Sequence, residues 1–275
     1  MKPREPAPRE PLDVIDCIDY GYRTLWQERH YLLRLAAVPV LVKLICFMIL
    51  LLIGWQTDFV RSALVLLPSY FTEGWMLAHL IRLVFYDQRW PFVPCGNAAL
   101  DQVVLQERAY GITAGALFYV VIKFLLAGFK AILNSAQIAA VEKMPVQGEA
   151  PTGTALVALL LMFLTLWGFR LVFLYIPAAA GMRPDFLIRC PRGLKISLQL
   201  LGVWLVSVVP MILALLMVSS VLVSGHMTAG TAVPMLSSIV LVLFQVFFDT
   251  VIAILSTLAA AQGIKKMVES KPRSI

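Results

Sequence analysis

WQERHYLLRLAAVPVLVK, residues 26–43, decides how this chain folds. Gln-Glu-Arg and a tyrosine lead into an apolar run that continues to Ile53 and hides one lysine, Lys43, about half way along. A run of about 20 or more apolar residues is longer than a globular core helix needs and matches a bilayer crossing. The phrase returns as LQERAYGITAGALFYVVIK, residues 105–123, with Lys123 in the corresponding place.

Working outward, 60% of the residues are hydrophobic and 14% charged, too few polar side chains to cover a soluble core of this size. Six segments are long and apolar enough to cross: 31–54, 59–86, 111–134, 155–180, 196–223 and 233–262. The second is the most polar of them, with Arg61, Pro68, Glu73, His79 and Arg82. Pro39, Pro68, Pro177 and Pro210 fall inside spans or near their ends, where proline kinks a helix.

Basic residues fix the orientation. Lys2, Arg4, Arg9, Arg23, Arg29 and Arg34 precede the first span, Arg82, Arg89 and Arg108 flank the second connection, Arg183, Arg189, Arg192 and Lys195 the fourth, and Lys265, Lys266, Lys271 and Arg273 follow the last. The opposite side carries Arg61 and Lys143, with Lys130 near it. By the positive-inside rule both termini are cytoplasmic. Residues 1–11, rich in proline and charge, read as a disordered tail rather than a cleaved leader, and 267–275 as a second tail. The net charge of +7 then reflects anionic headgroups at the cytoplasmic face, not a nucleic-acid partner, since no basic module with stacking aromatics occurs. Cys17, Cys46, Cys95 and Cys190 form no C-x-x-C pair, and their spacing indicates neither a metal nor a cofactor.

Before the first span, Val14, Ile15, Ile18, Tyr22, Leu25 and Trp26 recur at helical spacing, which predicts an amphipathic helix in the membrane interface. Residues 98–107 predict a shorter version, and FLIRCPRGLKIS, 186–197, a third interrupted by Pro191. A second echo sets Arg82-Leu83-Val84-Phe85 against Arg170-Leu171-Val172-Phe173. The expected architecture is therefore all-α: a polytopic membrane protein with six transmembrane helices and cytoplasmic interfacial helices. It forms one membrane domain, 12–266, of three parallel helix-span-span units, about 12–95, 96–184 and 185–266.

The stretch RLVFLYIPAAAGMRPDFLIRCPRGLKISLQLLGVW, residues 170–204, resembles a junction in bacterial six-helix inner-membrane proteins of unknown function. There a helix ending in Pro-Ala-Ala-Ala and glycine is followed by a short basic interfacial helix and another span. The resemblance implies a bacterial inner-membrane location and distant similarity to the membrane domains attached to some glycerophosphodiester phosphodiesterases. It implies no catalytic residues, and no connection in the chain could hold the soluble barrel of about 250 residues that those relatives carry.

Lys43 and Lys123 lie about 18 Å past Tyr31 and Gly111, in a hydrocarbon layer about 30 Å thick. Glu73, Arg170 and Asp249 reach similar depth on spans running the other way. Each would cost about 2.5–3.5 kcal/mol facing lipid, so they are expected to turn inward and pair, or to line water. Spans one and two are antiparallel neighbours, which pairs Lys43 with Glu73 and leaves Arg170 or Lys123 as partners for Asp249. As a pathway, Glu73, His79 and Asp249 could relay protons or bind a cation. His79 and Arg82 lie about 240° and 180° round the helix from Glu73, so span two carries no single polar stripe. Small residues for close helix contact are sparse, with Gly202, Ser207 and Ala259-Ala260-Ala261 the candidates.

No nucleophile elbow, phosphate loop or zinc motif occurs, and His30, His79 and His226 fall at different levels. A non-enzymatic structural or scaffold protein is the first functional expectation. A transporter or channel with a polar mid-membrane site is the alternative, and a lipid-modifying enzyme using Glu73 and Asp249 the third.

Overall fold

The computed structural model describes residues 13–55, 58–142, 170–182, 193–227 and 235–269. Helix α1 spans Val14–Gln27, α2 Arg29–Ile53, α3 Phe59–Val65, α4 Leu67–Tyr86 and α5 Ala98–Glu142. A 3-10 turn, Arg170–Phe173, leads into the short α6, Tyr175–Ala179, followed by α7, Gly193–Met227, and α8, Met235–Glu269. No strand occurs among the described residues.

Four helical stretches are long and apolar enough to cross a membrane: Arg29–Ile53, Ala98–Gly128, Lys195–Val218 and Ile239–Glu269. Their side chains are distributed as a bilayer requires. On α2, Leu32, Leu35, Ala36, Pro39, Lys43, Cys46 and Leu50 are buried, while Leu33, Val38, Leu41, Ile45, Ile49 and Leu52 form an exposed apolar stripe on the other face. Both stripes follow the helical period of three and four residues. Leu117, Val121 and Leu125 continue the exposed surface on α5, and Leu243, Phe244 and Phe247 on α8. Apolar residues outside and ionic residues inside describe a membrane protein.

The centre of the bundle is α4. Met76 through Val84 are all buried, so this helix is covered on every side over that stretch, while Leu67 and Phe71 near its start are exposed. It packs against α2, α5, α6 and α8, and α8 in turn carries α1 and α7. The second predicted span, 59–86, is not one helix. It breaks at Leu66, and Pro68 stands in the first turn of α4. Proline has no N–H to contribute and is tolerated only where a helix is beginning, which explains the division. Pro39 and Pro210, by contrast, lie inside α2 and α7 without ending them.

Close approach is achieved by glycines other than the expected one. A Cβ built on Gly74 would stand 3.0 Å from Ala116 Cα on α5, and one on Gly115 would stand 2.6 Å from Ala179 Cβ on α6. Gly111 lies against Arg82 and the Ala179 carbonyl in the same way. Gly111-x-x-x-Gly115 is the small-residue spacing that lets membrane helices touch backbone to backbone, and it is visible in the sequence.

Helix α1 begins at Asp13, whose carboxylate accepts from the Ile15 and Asp16 N–H groups. Its packed face differs from the predicted one. Cys17, Gly21 and Thr24 are buried, with Gly21 against Ala259 and Leu255 of α8, and the Tyr22 hydroxyl donates to the Ser207 carbonyl of α7 at 3.1 Å. Ile15 and Trp26 point outward, separated from the buried strip by Val14, Ile18 and Leu25 at its edge. The apolar residues thus divide between the bundle and the outside, and Lys266 pairs with Asp16 across the join.

Burial pushes the Cys17 thiol up to about 11. A raised thiol value keeps the unreactive protonated form through neutral pH, and thiolate forms only as pH approaches that value. In detergent near neutral pH, Cys17 is therefore expected to resist maleimide while the exposed Cys95 is modified, read by peptide mass spectrometry. Equal labelling rates would mean that α1 detaches from the bundle.

The interfacial helix predicted at 98–107 is not separate from the third span; α5 runs uninterrupted from Ala98 to Glu142. Likewise Gly193–Ser197 belongs to α7, and α8 continues to Glu269, beyond the boundary expected at 266. The fourth span, expected over 155–180, is described only from Arg170, where a 3-10 turn precedes α6 with Pro177 inside it. The tail 1–11, residues 155–169, the interfacial stretch 186–192 with Cys190, Lys143, and 270–275 lie outside the described residues.

Candidate functional site

The buried stripe of α2 places Lys43 opposite α4 and α8. Its ammonium lies 3.3 Å from Glu73 Oε2 and 3.6 Å from Asp249 Oδ2, one cation between carboxylates from two other helices. Lys43 and Glu73 are buried; the Asp249 side chain is 41% exposed, which makes it the one member with an opening to the outside. The three residues lie about 20 to 24 Å along their helices from the end marked by Glu28, Tyr86 and Lys265. This depth falls within the hydrocarbon layer.

The pairing expected for Asp249 is different from the one found. Its described partner is Lys43 rather than Lys123, and the Arg170 side chain lies outside what the structure describes. Lys123 instead lies over the rings of Tyr119 and Tyr70, 5.2 and 5.9 Å from their centroids. The negative face of each ring attracts an ammonium, an interaction worth up to about 2 kcal/mol where water is excluded. Arg170 opens the 3-10 turn before α6.

Among the described residues, two polar atoms here are buried without a partner: Glu73 Oε1 and, one turn earlier on α4, Ser69 Oγ. The Tyr119 hydroxyl faces the Glu73 carboxylate but does not close a hydrogen bond on Oε1 at ordinary distance and angle. Tyr119 packs edge-to-face on Tyr175 at 5.3 Å, and the Tyr175 hydroxyl meets Thr257 Oγ1 of α8 at 2.7 Å. Polar groups from α2, α4, α5, α6 and α8 thus form one connected region of the bundle, with Thr257 about 12 Å nearer the Lys265 end of α8 than Asp249.

His79 belongs to a second centre, six residues or about 1.7 turns nearer the Tyr86 end of α4 than Glu73. Its Nδ1 lies 3.4 Å from Arg108 Nη2. A guanidinium can only donate, so Nδ1 is the acceptor and the proton sits on Nε2. Arg108 also donates to the Arg89 carbonyl at 2.7 Å, and Arg89 pairs with Glu28 at 2.7 Å. The two Gln-Glu-Arg phrases therefore meet at one residue: Glu28 of the first holds the Arg89 side chain, and Arg108 of the second holds its backbone. Their conformations differ, since the helix breaks at Glu28 and runs straight through Glu107.

No protein family, curated protein or solved structure matches this chain.

Proposed function

We propose that the chain is a non-enzymatic structural or scaffold protein of the bacterial inner membrane, with six spans in three parallel units and both termini cytoplasmic. It acts through its bundle and a basic rim that meets anionic headgroups. The observation that carries this reading is Lys43 shared by Glu73 and Asp249. One ammonium joins α2, α4 and α8 and answers charge with charge inside the bundle, which fixes helix register without requiring anything to pass. The bacterial inner-membrane location rests on the resemblance read in residues 170–204.

A second reading, transport through a polar mid-membrane site, draws on the exposure of Asp249 and on the unpartnered Glu73 Oε1 and Ser69 Oγ. Single cysteines at positions 43, 73 and 249, in a background lacking Cys17, Cys46, Cys95 and Cys190, separate the two. With the scaffold, the cysteine at 43 is expected to lower abundance, and the protein that remains in intact membranes is expected to stay unlabelled at 43 and 73 by a membrane-impermeant thiol reagent. Labelling at all three would mean a water-filled path and put transport first.

A further inference from the structure

At the Tyr86 end of α4 the charges do not close. Arg82 and Arg108 are 2% and 5% exposed, yet no carboxylate lies within 4.0 Å of either among the described residues. Gly111, one turn past Arg108 on α5, lies directly under Arg82 Nη1, so the two guanidiniums share one corner of the bundle. The Tyr86 ring lies under the Arg82 guanidinium, 5.3 Å from its carbon, and Glu107 of α5 is near enough to offset part of the repulsion between the two arginines, although neither pairs with it at contact distance. Two like charges held together out of water are costly unless an anion or several dipoles offset them.

Dipoles offset them in part. Arg82 Nη1 donates to the Ala179 carbonyl at the end of α6 at 3.2 Å, its Nε donates to Gln88 Oε1 at 2.8 Å, and Arg108 Nη2 donates to the Arg89 carbonyl. The turn after α4 makes these contacts possible: Asp87 adopts φ 53°, and Gln88 folds back with its N–H on the Arg82 carbonyl. Each arginine is thereby held in one orientation. Arg82 Nη2 and Arg108 Nε and Nη1 have no acceptor among the described residues. Positioned guanidinium forks with spare donors suit tetrahedral oxyanions, which offer several acceptors in matching geometry.

We propose that Arg82 and Arg108 form a site for a phosphate group. Helix ends of this kind lie at headgroup level, so the group can come from a phospholipid headgroup or from a free phosphate ion. The chemistry at the two arginines is the same. The site narrows the anionic-lipid partner of the basic rim to particular residues, and it stands whether the bundle is a scaffold or a conduit, because it does not involve Lys43, Glu73 or Asp249.

The test uses the full chain in two arms. Calorimetric titration in neutral detergent uses inorganic phosphate as the probe. Native mass spectrometry of protein released from phosphatidylcholine nanodiscs containing phosphatidylglycerol counts retained headgroups. The variants are Arg82→Lys and Arg108→Lys, which keep the charge but lose the fork, and Gln88→Ala, which releases Arg82 Nε without changing charge. Saturable phosphate heat that weakens about tenfold in the lysine variants assigns a free ion. Retained phosphatidylglycerol that falls about tenfold in those variants, without phosphate heat, assigns a headgroup. A smaller loss in Gln88→Ala supports either assignment and does not depend on the arginine variants folding. A wild-type chain that takes neither probe, or binding unchanged in all three variants, overturns the proposal.

Discussion

Lys43→Met is expected to unfold the bundle or reduce its abundance sharply, the largest effect of any single substitution in the mid-membrane cluster. The change removes one ammonium and leaves two carboxylates, of which Glu73 is buried and has no other cation at contact distance among the described residues. Breaking a buried pair by deleting one partner costs about 3–5 kcal/mol, because the remaining charge stays desolvated. Whole-domain stabilities are about 5–15 kcal/mol, so this is a large share of the total. Glu73→Gln should be milder, since Lys43 retains Asp249, and the triple variant Lys43→Met, Glu73→Gln, Asp249→Asn should recover most of the loss. Thermal melting in detergent and membrane abundance measure both. A Lys43→Met chain as stable as wild type would show that water reaches Glu73, and the dry clamp would have to be abandoned.

Gly115→Val is expected to cause the next largest loss. Even the first carbon of a side chain at 115 would meet Ala179 Cβ at 2.6 Å and Ala179 Cα at 3.0 Å, contacts to neighbours that cannot rotate away. Overpacking of this kind costs about 1–3 kcal/mol, and the branched valine adds to the crowding that alanine would already produce. Separating α5 from α6 also draws the Ala179 carbonyl away from Arg82. Gly128→Ala on the same helix is the control, because nothing lies within 4 Å of its added carbon and alanine is the better helix former by about 1 kcal/mol. The melting temperature should fall for position 115 and hold or rise for 128. Equal behaviour would mean that α5 and α6 are not in close contact in the membrane.

Depth and polarity were readable in the sequence because both are local. Twelve residues of helix carry Lys43 to mid-bilayer whatever surrounds it, and the cost of lipid exposure then turns it inward. Its approach to Glu73 followed from α2 and α4 being consecutive and antiparallel. The partner of Asp249 was not readable, since α8 could have met several helices and only the packed bundle brings it to α2. The division at Leu66 was hinted at by Pro68 but masked by the apolar residues on either side. The Gly111 and Gly115 spacing was legible in the letters, yet which small residues meet a neighbouring backbone depends on which helices become neighbours. The two Gln-Glu-Arg phrases are a different case. Identical letters gave a break in one place and a continuous helix in the other, and their charged side chains went different ways, Glu28 to Arg89 and Arg108 inward to His79.

The enclosure of α4 also bears on how the protein is made. With Glu73, His79 and Arg82 along its length, α4 is not among the helices apolar enough to cross a membrane by composition, and from Met76 to Val84 it has no exposed side to compensate. A segment of this kind gains little by leaving the insertion channel alone. It becomes stable in the bilayer when α2 brings Lys43, α5 brings Ala116 and Arg108, and α8, which follows them in the chain, brings Asp249. Entry of the centre of the bundle is thus tied to the arrival of α8, and a product cut before α8 would be left with a helix that neither water nor lipid accepts.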